Sequence, residues 1–245
     1  MLFRLIALLA VCLLSSCIDC HEEIWLEADG SGHADVCYTL PAEAAKLQGG
    51  EVGVRRLLGK FLADTKELKS SSYEVNRDKD RLKIRVRAAF DSALDLKEIS
   101  AGGPMDKLPS SASNLAGKVA VTVRGRTVDL TRTISPGAAL PGSTFMPASS
   151  FDGHRLVYII HLPMAATESN ATRVEDNGRK LVWDFPLAEA IRTPVTTHFK
   201  ADVPIPFWMI VAATVAIFSL GWLVLGGIRR YSKKSRINEV DRTNT

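Results

Sequence analysis

A chain of 245 residues with 46% hydrophobic and 24% charged residues has the composition of a folded protein, not of a disordered or low-complexity one. Its 31 basic and 27 acidic residues give a net charge of +4, yet six of the basic and two of the acidic residues fall in 229–245, and Arg4 adds one more cation. The intervening chain is close to neutral, which excludes a nucleic-acid partner.

In chain order, residues 1–16 read as a signal peptide. Arg4 supplies the positive start, and Leu5 to Leu14 is an apolar run too short for a bilayer, which needs about 20 residues. Leu14-Ser15-Ser16-Cys17 then follows the pattern of a bacterial lipobox, so Cys17 is the expected site of lipidation, with ordinary secretory cleavage as the alternative. Cys20, preceded by Cys17-Ile18-Asp19, lacks the small pair.

Residues 17–206 are expected to form one exported domain with a core of its own. "EEIWLEADGSGHADVCYTL" predicts a hairpin around Gly30-Ser31 that sets Ile24 opposite Cys37. Cys20 then lies roughly 13 Å away at strand rise, and a disulfide with Cys37 needs a bulge or a bend at His21. Helices are predicted at 41–48 and 51–65, the second with Val54, Leu57, Leu58, Phe61 and Leu62 on one face. A hairpin follows whose second arm alternates Leu82, Ile84, Val86, Ala88 and Phe90 against Arg81, Lys83, Arg85 and Arg87. A short helix at 91–99, a loop at 101–116 and a hairpin turning at Gly125 come next. After a long loop at 135–153, strands are predicted at 155–162, 180–185 and 194–203, with a helical turn at 187–191.

Phe207 to Ile228 contains 22 residues without a charge and is followed by Arg229, Arg230, Lys233, Lys234 and Arg236. This reads as a transmembrane helix at 207–228 with a basic cytoplasmic tail at 229–245, the domain lying outside. Short links on both sides would lay the domain against the bilayer.

The five histidines are scattered, and no zinc-protease, phosphate-loop, dinucleotide or serine-nucleophile motif is present. No cofactor, metal site or enzymatic activity is therefore expected. Three features carry binding potential. Lys83, Arg85 and Arg87 line one strand face, either as a solvated surface or as donors to phosphates or anionic glycans. Arg132 falls on the apolar phase of Val128, Leu130 and Ile134, so it either escapes to water through a bulge or lines a pocket for an anionic head group. Phe145 and Met146 stand at the tip of the loop 135–153, where they could enter a lipid interface or close over a ligand. Asn170-Ala171-Thr172 matches a glycosylation sequon, meaningful only in a eukaryotic secretory host.

The lipobox cysteine Cys17, the "ADGSG" hairpin at Ala28 to Gly32, the "KLVWDF" strand at Lys180 to Phe185 and the closing span with its basic tail together resemble the mycobacterial LppM-like lipoproteins. The resemblance implies binding of mannosylated phosphatidylinositol lipids, and it transfers no ligand residue. The combined expectation is an α+β domain, a curved antiparallel sheet with helices on one face, plus a single C-terminal transmembrane helix. Its expected role is binding a lipid or lipid-linked glycan at the outer face of the bacterial cytoplasmic membrane, in envelope biogenesis or lipid handling. A module docking another envelope protein is the alternative.

Overall fold

The computed structural model describes residues 18–93, 108–140 and 142–203. Alternating apolar residues drive about half of these into strands. A seven-stranded sheet runs in the order β3-β4-β2-β1-β7-β10-β9 and a four-stranded sheet in the order β5-β6-β11-β8. The strands are β1 (Asp19–Leu26), β2 (Gly32–Pro41), β3 (Leu68–Asp78), β4 (Arg81–Phe90), β5 (Lys118–Arg124), β6 (Thr127–Ile134), β7 (Arg155–His161), β8 (Ala166–Ser169), β9 (Arg173–Glu175), β10 (Lys180–Pro186) and β11 (Val195–Asp202). Helical pieces are α1 (Ala42–Ala45), α2 (Gly50–Asp64), α3 (Ser110–Ala116), α4 (Pro136–Ala139) and α5 (Leu187–Ala190).

This corrects the expected α+β architecture of one curved antiparallel sheet under helices. Among the described residues strand far outweighs helix, the strands form two sheets, and β1 pairs with β7 in parallel. Among the described residues no helix is long and apolar enough to cross a membrane. The expected signal peptide, the lipidation site Cys17, the span 207–228 and the tail 229–245 lie outside the described residues, as does most of the helix expected at 91–99.

One face of the large sheet is buried twice over. The small sheet covers β1, β7 and β10, so Leu130, Ile134, Phe199 and Ala201 share a cluster with Leu156, Tyr158, Ile160, Leu181 and Trp183. Helix α2 covers β3 and β4, packing Val54 and Leu58 on Val75, Leu82 and Ile84. Leu40 of β2 belongs to both clusters, which puts helix and small sheet on the same side. Full burial of such side chains contributes about 1.5–3 kcal/mol each. At the far end of β2, Gly32 is required by close packing, because a Cβ there would collide with the Trp25 carbonyl and the Phe90 ring.

Candidate functional site

Two groups of side chains stand out, one inside the sandwich and one on the bare face of the large sheet. Inside, Arg132 points from β6 toward β1 and meets Glu22. Its guanidinium nitrogens donate to both carboxylate oxygens at 2.5 and 3.1 Å, and its Nε donates to the Ala116 carbonyl at 2.6 Å. The Tyr38 hydroxyl also donates to Glu22, and the Cys20 thiol lies 3.6 Å from the same oxygen. The Arg132 Cζ sits 5.1 Å from the centre of the Tyr158 ring.

Burial works against the charge of Arg132, but the Glu22 carboxylate prevails and holds the guanidinium above its ordinary range. Burial likewise pushes up the Cys20 thiol and the Tyr38 and Tyr158 hydroxyls. A protonated, buried thiol is a poor nucleophile. A carboxylate already saturated by an arginine and a tyrosine has little left to offer a ligand. This cluster fastens the two sheets together. Arg132 thus commits its guanidinium to Glu22 and the Ala116 carbonyl.

A second fastening is made by Asn170, whose Oδ1 accepts hydrogen bonds from Trp183 Nε1 at 2.7 Å and from the His198 amide at 2.8 Å. Its Nδ2 donates to the Thr196 carbonyl at 2.9 Å. The sequon asparagine thus spends its side chain on joining β10 to β11.

On the opposite face of the large sheet, register assembles Lys83, Arg85 and Arg87 with partners from β2 and β3. Arg87 stands between Asp35 and Ser72, and Arg85 between Cys37 and Glu74. Asp35 takes Arg85 in a two-nitrogen clasp, at 2.8 Å from Nε and 2.5 Å from the terminal nitrogen, while Arg87 lies 3.4 Å from Asp35 and 3.3 Å from Glu74. The Arg85 clasp holds the Asp35 carboxyl below its usual range. Two carboxylates thus neutralise two arginines, and exposed Lys83 is opposite only Asn76 and Thr39. Cys37 also points to this face, whereas Cys20 points into the core. Register places Cys20 against Tyr38 and Cys37 against His21, not Ile24 against Cys37 as expected, and both thiols are free.

Beside the arginines, three flat rings from three neighbouring strands stack across the sheet. Trp25 lies between His33, at 4.6 Å and 10° between planes, and His161, at 5.1 Å and 6°. The next positions beyond His33 in the same row are Ala89 and Ser70, which leave the row empty. The result is an open groove of about 390 Å³, lined by Trp25, His33, Asp35, Ser72, Arg87 and Ala89 among others. Sequence reasoning missed it. Trp25 and His33 share a hairpin, but His161 reaches them only through the parallel β1–β7 pair.

Phe145 is 92% exposed, while Met146 packs against the core cluster. The loop expected at 135–153 is ordered by α4 and by short 3-10 turns at Ser143–Phe145 and Ala148–Phe151. Among the described residues no cluster of histidine, cysteine and acidic side chains could hold a metal.

No known protein-family profile matches the chain, and no curated protein sequence does. Among solved structures, the folded domain of the Mycobacterium tuberculosis protein LppM, determined by NMR, is similar at 13% identity and a TM-score of 0.47. The similarity covers 78% of this chain and 93% of that one.

Proposed function

We propose that this chain is a membrane-anchored binding protein for a lipid-linked glycan at the outer face of a bacterial cytoplasmic membrane, with the groove beside His33 as its recognition site. The observation that carries the reading is the ring stack that ends at an empty place. A pyranose has an apolar C–H face that lies flat on an aromatic ring and hydroxyls that bond to paired acids, arginines and serines. His33 provides the ring, and Asp35, Arg87 and Ser72 provide the polar partners within the same groove. Because Asp35 and Glu74 already balance Arg85 and Arg87, the groove suits a neutral hydroxylated ring better than a bare phosphate. Cys17 in its lipobox pattern and the charge-free stretch 207–228 with its basic flank support attachment to a bilayer.

Native mass spectrometry of the detergent-purified full chain, with lipid extraction, tests this. A glycolipid should co-purify with the wild type. It should be lost from Ala89→Leu, which fills the groove without removing a polar contact, at unchanged thermal stability. Retention of the same lipid by Ala89→Leu would place the site elsewhere.

A further inference from the structure

The loop between β6 and β7 has a composition unlike the rest of the chain. Residues 133–151 contain no charged side chain, in a protein where 24% of residues are charged. A charge-free run of that length is ordinary in a core, but this one reaches the surface. Thr144, Phe145, Pro147 and Ser149 are exposed, and Phe145, at 92%, is the most exposed of the large apolar side chains described.

The turn beneath the exposed ring is closed by backbone hydrogen bonds. The Phe145 amide donates to the Gly142 carbonyl and the Met146 amide to the Ser143 carbonyl, both at 3.1 Å. Met146 and Phe151, on either side of the next turn, are anchored in the core cluster. A Cβ on Gly137 would collide with the Ile191 carbonyl, so the start of the loop is pressed against the segment after α5. A ring on a fixed turn, with its backbone amides satisfied, is built to present that ring outward.

The loop also lies at a particular end of the domain. His154, just past it, meets the Asp19 carboxylate at 3.0 Å, and the Arg155 amide meets it at 3.2 Å. Ile18, where the described chain begins, shares its apolar cluster with Leu140, Met146 and Phe151. The residues that close the loop, His154 and Arg155, are therefore at the Asp19 end of β1.

We infer that Phe145 and its uncharged turn are a membrane wedge that inserts at the lipid head-group level. The inference rests on the membrane-anchored reading above and is independent of the groove. An aromatic ring on a turn without charged side chains is suited to the interfacial region of a bilayer.

The test uses the full chain reconstituted in vesicles of phosphatidylethanolamine and phosphatidylglycerol, with a nitrobenzoxadiazole dye attached through Phe145→Cys in a Cys37→Ser background. Val52→Cys on α2, 67% exposed, serves as the water-facing control. Emission from the Phe145→Cys position should shift to the blue and be quenched several-fold more strongly by doxyl lipids than emission from Val52→Cys. Equal, water-like emission from both positions in protein that is acylated and floats with the vesicles would overturn the wedge and leave the anchored reading standing. Protein that neither floats nor carries an acyl chain would overturn both.

Discussion

Glu22 and Arg132 each interrupt an apolar phase with a charge, and together they remove the cost of doing so. A lone buried ion of either sign would be strongly unfavourable, and a two-nitrogen clasp with further donors is what makes the pair tolerable. The donors around it give the pair a pH signature. Cys20, Tyr38 and Tyr158 are all pushed up by burial, so in alkali the folded chain keeps protons that the unfolded chain releases. Stability then has a negative slope with pH. It should be flat below the free thiol value of about 8.5 and decline above it, more steeply past the free tyrosine value of about 10. Urea unfolding between neutrality and strong alkali measures this, and Tyr38→Phe should reduce the steepest part of the slope. A profile that stays level into strong alkali would show that these groups are not held protonated. Arg132 was visible in the sequence because it broke the alternation of Val128, Leu130 and Ile134. Glu22 breaks the alternation of Cys20, Ile24 and Leu26 in the same way, but it lies between the polar His21 and Glu23. Its partner lies 110 residues away, a separation that local patterning does not bridge.

Hairpins made by adjacent segments were legible, and connections made over distance were not. β3–β4 and β5–β6 follow directly from clean alternation around short polar turns. The β1–β2 register differs from the expected one because Asp29 accepts from the Ser31 amide at 2.9 Å and its hydroxyl at 2.7 Å, shaping residues 27–31 into a wider loop than Gly30-Ser31 alone suggests. Helix α3 was hidden in a serine-rich stretch of weak helix formers, and β8 and β9 are too short to alternate visibly. Asn170 shows how much one side chain can matter between elements. Its carbonyl oxygen satisfies the indole of the fully buried Trp183, and removing it strands that donor. Asn170→Ala should lower stability by about 2 kcal/mol in denaturant unfolding, the range for an orphaned buried group. A change near zero would mean that water replaces the amide.

At the scale of the molecule, the two faces of the large sheet divide the labour. One face is occupied by α2 and the small sheet and supplies stability. The other carries ion-paired arginines and the ring stack, without a described element packed over the groove. The proposed reading is that this groove takes the sugar of a lipid-linked glycan. The most direct test of that claim is photocrosslinking of the reconstituted full chain to a glycolipid whose sugar carries a diazirine, with adducts mapped by peptide mass spectrometry. The account predicts adducts on the peptides holding His33, Ser70–Ser72 and Arg87–Ala89, diminished in His33→Ala. Adducts confined to other surfaces, or unchanged in His33→Ala, would contradict it.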